Sequence, residues 1–143
     1  MNDQAKLILV VDDNAANLKL ACDVLEFESY RVLKATDAEV AAEIIRRVLP
    51  DLILMDIALP GMDGLTMTRM LKADERTRNI VVVALTAFAM KGDEEKARAA
   101  GCDGYITKPI DTRNFVRTLL PFLSRAADRS ADLANVGQSA NDR

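Results

Sequence analysis

Five short apolar runs, each followed by a segment with helical spacing, constrain this chain more than any other feature. Behind Lys6 the run Leu7 to Val11 is apolar without a break, as expected for a strand covered on both faces. Asn14 to Phe27 then sets Leu18, Ala21, Cys22 and Leu25 at the spacing of one helix face. Tyr30 to Lys34 is shorter and more polar, which suits an edge strand. Thr36, with Glu39 three residues on, reads as a capping box opening a helix that carries Val40, Ala41, Ile44, Ile45 and Val48, and Pro50 closes that region. Leu52 to Met55 is a second buried strand. A turn-rich stretch, Leu59-Pro60-Gly61-Met62-Asp63-Gly64, follows it and leads into an amphipathic helix over Leu65 to Ala73. Ile80 to Leu85, with Val81, Val82 and Val83 in succession, is the most strand-like segment of all. Ala89 to Ala100 reads as a helix closed by Gly101 at the C′ position. Tyr105 to Lys108 makes a short last strand, and Asp111 caps a final helix through Phe115, Leu119, Leu120 and Phe122, which Pro121 is expected to kink or shorten.

Strand and helix alternating in this way imply right-handed crossovers and a parallel sheet with helices on both faces. The apolar strands belong at the centre and the two polar ones at the edges. A five-stranded, doubly wound α/β sheet of order 2-1-3-4-5 satisfies that, with a topological switch point between the first and third strands. Ligands of such sheets bind beyond the carboxyl ends of the strands at that point.

Composition narrows the rest. The chain has 143 residues, enough for one domain with a real core, and 50% hydrophobic but only 4% aromatic residues make that core aliphatic. A net charge of -3 argues against a nucleic-acid surface. No apolar run approaches the roughly 20 residues that span a bilayer, and the polar start Met1-Asn2-Asp3-Gln4 carries no signal-peptide pattern. A cytoplasmic protein that touches neither membrane nor nucleic acid is the expectation. Cys22 and Cys102 lack the spacing of a disulfide or zinc site and are expected to be reduced, buried thiols. The chain contains no histidine, which removes histidine-based catalytic triads, histidine metal ligands and autophosphorylation on histidine together. Residues 125–143 are polar, rich in Ser, Ala, Asn and Asp, and read as a tail or an extension of the last helix behind a domain of residues 1–124.

The polar landmarks Asp12-Asp13, Asp56, Thr86 and Lys108-Pro109 all stand at the ends of apolar runs. The proposed strand order gathers them at one edge of the sheet. Carboxylates about 4 Å apart repel by roughly 4 kcal/mol at an effective dielectric near 20, so one stays protonated or a cation neutralises them. Mg²⁺ takes hard oxygen ligands, often one or two carboxylates together with phosphate oxygens, which suits Asp12, Asp13 and Asp56. Asp56 stands alone at a central strand end and is the best candidate for a nucleophile that forms an acyl phosphate. Lys108 would offer positive charge and Thr86 a hydroxyl to phosphoryl oxygens. A cis Lys108–Pro109 bond would aim the lysine inward. Each residue taken singly reads as a solvated loop or capping residue; the ordered set reads as a phosphoryl site.

The segments Val10-Val11-Asp12-Asp13-Asn14, Leu54-Met55-Asp56, Leu59 to Gly64, Ala84-Leu85-Thr86-Ala87 and Lys108-Pro109 resemble the receiver domain of two-component response regulators over about residues 6–124. The stretch Leu85 to Lys108 is similar to single-domain regulators of the alphaproteobacterial cell-division type. The resemblance implies the flavodoxin-like form of the fold and a phosphoryl group accepted on Asp56 from a sensor histidine kinase or histidine phosphotransfer protein. It implies Mg²⁺ (or Mn²⁺) held by Asp12, Asp13, Asp56 and the backbone carbonyl of Ala58. It makes Thr86 and Tyr105 a switch pair, leaves the site accessible past the small Ala87, and sets Ala58 and Phe88 beside it. A signalling switch with slow autodephosphorylation, a downstream protein partner of unknown identity and a homodimer all fall within this expectation. Two other functions compete. An aspartate-nucleophile phosphatase would usually want a second acid two residues after the nucleophile, where Ala58 stands, and a non-phosphorylated interaction scaffold would not need the intact acid, threonine and lysine set. A transcription factor is not expected, because no DNA-binding domain follows residue 124.

Overall fold

The uninterrupted apolar runs become strands buried along every residue. The computed structural model describes residues 6–57, 63–86, 92–108 and 111–126. In chain order these form β1 (Leu7–Val11), α1 (Ala15–Phe27), β2 (Arg31–Ala35), α2 (Ala38–Arg47), β3 (Leu52–Asp56), α3 (Gly64–Ala73), β4 (Val81–Thr86), α4 (Asp93–Ala100) and β5 (Gly104–Thr107), with a closing helix, α5, over 115–126. All five strands are parallel, in the order β2-β1-β3-β4-β5. β1, β3 and β4 are wholly buried, whereas β2 and β5 hold the edges and are partly exposed. The expected order and edge assignment therefore hold.

Alternation along the strands splits the core into two layers. Leu9, Val11, Ile53, Met55, Val82 and Ala84 meet Ala41 and Ile45 of α2, Met67 and Leu71 of α3 and Ala97 of α4. Ile8, Val10, Leu52, Leu54, Val81, Val83 and Leu85 meet Leu18, Cys22 and Leu25 of α1 and Phe115, Leu119 and Leu123 of α5. Each fully buried leucine or isoleucine contributes about 1.5–3 kcal/mol. Among the described residues no helix is long and apolar enough to cross a membrane.

Helix ends show where local chemistry and tertiary context part. Asn14, Asp37 and Asp63 cap α1, α2 and α3, each side chain accepting from the backbone N–H three residues on, at 2.9, 2.8 and 2.7 Å. The capping box expected at Thr36 is thus replaced by Asp37, whose extended backbone and carboxylate fit the cap one residue later, while Glu39 lies in the first turn of α2. Residues 89–91 of the helix expected from Ala89 lie outside the described residues; the described part starts at Asp93, and Gly101 closes it at φ +105°. Pro121 does not shorten the last helix, which runs on to residue 126. Beyond the proline, Leu123 and Ala126 are buried, and Arg125 Nη2 pairs with Asp103 Oδ1 at 3.1 Å. These contacts outweigh the one helix hydrogen bond that proline cannot make.

Asp103 ties the amino-terminal end of the sheet together. Its Oδ2 accepts from Lys72 Nζ of α3 at 3.0 Å and from the Val82 N–H of β4 at 2.9 Å, and its backbone carbonyl accepts from Arg125 Nη1 at 3.3 Å.

α1 ends with Ser29 at φ +72°. The Ser29 N–H donates to Glu26 O at 2.9 Å and the Tyr30 N–H to Leu25 O at 3.1 Å, the two bonds of a Schellman turn. Tyr30, expected to open the second strand, is taken up by this turn, so β2 begins at Arg31. A left-handed serine carries strain that glycine does not. Ser29→Gly is expected to raise unfolding stability by about 0.5–1 kcal/mol, read as a higher urea midpoint at unchanged slope.

Candidate active site

Strand register builds the site. Val11 pairs with Met55, Asp56 with Leu85, and Thr86 with Thr107. Asp12, Asp56, Thr86 and Lys108 therefore fall at neighbouring positions on the carboxyl edge of β1, β3, β4 and β5. This is the crevice at the β1/β3 switch point.

The carboxylates of Asp12, Asp13 and Asp56 converge, with one oxygen from each lying within 4.8 Å of the others. Asp12 and Asp56 are buried, at 1% and 4% exposure, whereas Asp13 is exposed at the mouth. Lys108 Nζ lies 2.8 Å from Asp12 Oδ2 and 3.2 Å from Asp56 Oδ2. Burial pulls the pKa of this ammonium down, but the Asp12 hydrogen bond and the charges of Asp56 and Asp12 outweigh it and hold it above the ordinary lysine value. Lys108 therefore stays charged at neutral pH.

The second oxygen of Asp12 accepts from the Asn14 N–H at 2.9 Å, and its backbone N–H donates to Ala35 O at 3.0 Å. Three carboxylates converge beside the Lys108 ammonium. A hard, oxygen-rich pocket of this kind fits a divalent cation such as Mg²⁺.

Thr86 closes β4 at 4% exposure, and its carbonyl accepts from the Lys108 N–H at 2.7 Å. This bond carries the chain from β5 directly into Lys108. Tyr105 pairs with Ala84, packs against the α2–α3–α4 layer and lines a cavity of 420 Å³ with Ala97, Cys102, Phe122 and Arg125. By strand alternation Tyr105 lies on the sheet face that Ala84 and Thr86 share. Ala58, Ala87, Phe88 and Pro109, and with them the Ala58 carbonyl and the Lys108–Pro109 bond, lie outside the described residues.

No thiol competes for the role of nucleophile. Cys22 and Cys102 are free and buried. Burial pushes the Cys22 thiol up to about 11 and raises that of Cys102 as well, so both stay protonated near neutral pH.

Sequence reasoning missed the part played by Asn14, which caps α1 through its side chain while its N–H fixes the Asp12 carboxylate. The signal was present in the Asp12-Asp13-Asn14 triplet standing immediately before a helical run.

Residues 8–120 match the response regulator receiver domain family. The chain is 46% identical over 121 residues to the polar-differentiation response regulator DivK of Brucella ovis, a match covering 85% of this chain and 98% of the relative. Its fold is similar to a CheY-like response regulator receiver domain protein from Methanospirillum hungatei, with TM-score 0.78 and 30% identity over 87% of this chain and 98% of that one. It is also similar to the receiver domain of a sensor histidine kinase from Pseudomonas aeruginosa, crystallised with a magnesium ion coordinated in the active-site cleft, with TM-score 0.76 and 35% identity over 84% of this chain and 98% of that one. With sheet order, site position and relatives in agreement, the chain belongs to the response regulator receiver domain family, whose general function is phosphorylation-based two-component signalling.

Proposed function

We propose that this protein is a phosphorylation switch in which Asp56 accepts a phosphoryl group from the phosphohistidine of a sensor histidine kinase or a histidine phosphotransfer protein, and that it signals through contacts with a downstream protein. The observation that carries the reading is the Lys108 ammonium, held 2.8 and 3.2 Å from the buried Asp12 and Asp56 carboxylates with Asp13 at the mouth. The chain has no histidine of its own, so the donor is external.

In the transfer a carboxylate oxygen of Asp56 attacks phosphorus, an O–P bond forms as the donor's N–P bond breaks, and the electron pair leaves with the imidazole. Lys108 offsets charge on the acceptor and on the phosphoryl oxygens, and the Thr86 hydroxyl donates to one of those oxygens. Asp12, Asp13 and Asp56, with the Ala58 carbonyl, would hold Mg²⁺ or Mn²⁺, which when bound neutralises charge building up on the transferring group. In this reading the small Ala87 would leave room for that group, Ala58 and Phe88 would lie beside it, and Pro109 would orient Lys108, the roles that the family resemblance gives these positions. Water returns the acyl phosphate slowly to the free carboxylate.

Phosphorylation adds about -1.5 to -2 charge. Thr86 and Tyr105 relay that change as a pair to the surface of α4, β5 and α5. The receiver unit is residues 1–124, followed by the polar segment 125–143, of which Arg125 and Ala126 lie in α5. Free, buried thiols accord with a reducing, cytoplasmic setting. A small-molecule phosphatase is disfavoured because Ala58 stands where its acid would be.

Asp56→Asn is expected to abolish Mg²⁺-dependent labelling by acetyl phosphate, measured as the mass gain of the intact protein; a labelled variant would exclude Asp56 as the acceptor. Lys108→Ala is expected to be labelled yet respond weakly. The phosphorylation-induced shift of the Tyr105 ring signals in NMR should shrink several-fold, and a full wild-type shift would remove Lys108 from the relay.

A further inference from the structure

The first turn of α3 rests against the peptide of Asp56, and only a glycine permits it. A Cβ built on Gly64 falls 2.8 Å from Met55 Cγ and 2.9 Å from Ile57 Cα, and nearer still to the carbonyl oxygen of Asp56. Two of these three atoms are backbone and cannot swing aside. Gly64 is buried and is held from both directions. Asp63 caps α3 by accepting from the Thr66 N–H at 2.7 Å, and the Gly64 carbonyl accepts from Thr68 Oγ1 at 2.8 Å. On the strand side β3 is fixed in register with β4, and the Ile57 N–H donates to Leu85 O at 3.1 Å. A side chain at position 64 must therefore displace either the helix or the Met55–Ile57 backbone that carries the Asp56 carboxylate.

We propose that Gly64 is a positioning residue for phosphoryl transfer: its missing side chain lets α3 press on the Asp56 peptide and so fixes the Asp56 carboxylate against Lys108, Asp12 and Asp13. The inference rests on the reading of Asp56 as acceptor. It assigns Gly64 a catalytic consequence that a turn glycine would not have. A displacement approaching 1 Å in a reacting group costs on the order of 10²-fold in rate, while the donor still reaches the same pocket.

The test compares wild type, Gly64→Ala and Gly104→Ala as full-length proteins. Gly104 is the control because a Cβ there meets the ring of Phe122, a side chain remote in sequence from the site. Initial rates of Asp56 labelling are measured against acetyl phosphate concentration at saturating Mg²⁺, at a temperature where circular dichroism shows all three folded. Gly64→Ala should lower the maximal rate on the order of 10²-fold with the half-saturating donor concentration nearly unchanged, and Gly104→Ala should label at the wild-type rate. A maximal rate for Gly64→Ala within about three-fold of wild type overturns the proposal, as does an equal loss in Gly104→Ala.

If Gly64→Ala does not fold, Thr68→Val decides. It keeps the side-chain volume but removes the hydroxyl that donates to the Gly64 carbonyl, and should slow labelling by about five-fold or more, whereas an unchanged rate overturns the proposal. Wild type that takes no label on Asp56 sinks the acceptor reading and this inference with it. A labelled wild type beside an equally fast Gly64→Ala sinks this inference alone.

Discussion

Lys108 reaches from the end of β5 to carboxylates at the ends of β1 and β3, and that pairing makes the rest of the site tolerable. Asp12 and Asp56 are almost fully buried, and a buried charge without a partner is strongly unfavourable. Removing one member of a buried pair typically costs about 3–5 kcal/mol. The ammonium pairs with both acids at once, and the exposed Asp13 carboxylate joins them at the mouth. The pocket is thus stable enough to fold and still rich in carboxylate oxygens, the ligand set a hard divalent cation takes. Its geometry depends on a parallel sheet whose register brings four strand ends level.

The sheet order and the site were legible in the sequence because they depend on burial, which leaves a strong mark. Leu7–Val11, Leu52–Met55 and Ile80–Leu85 can be apolar throughout only where both faces are covered, and the polar residues that end such runs must gather at one edge. The features that escaped depend on contacts between distant residues. Nothing local shows that the cap belongs to Asp37 and not Thr36, or that Tyr30 is drawn into a helix-ending turn. Pro121 was expected to kink or shorten its helix, and only the burial of Leu123 and Ala126 and the Arg125–Asp103 pair explain why the helix runs on. Asp63-Gly64 read as turn residues because the approach of α3 to the Asp56 carbonyl exists only in three dimensions.

The two ends of the sheet are built on different principles. At the amino-terminal end Asp103 is saturated with donors from Lys72, Val82 and Arg125, binding α3, β4 and α5 into one block. At the carboxyl end three carboxylates converge on a crevice around Lys108. A gain or loss of charge there meets a scaffold that is pinned behind and open in front.

The sheet also acts as a partition. Tyr105 and Ala84 pack into the layer of α2, α3 and α4, and Thr86 lies on the same face by alternation. The layer of α1 and α5 packs on the opposite face, behind Val83, Leu85 and their neighbours. In the proposed relay Thr86 and Tyr105 act from the α4 side of the sheet, and Tyr105, which lines one cavity with Phe122 and Arg125, reaches α5 around the β5 edge. One small domain can in this way present an edge that changes and, around α1, a face held constant behind three buried strands.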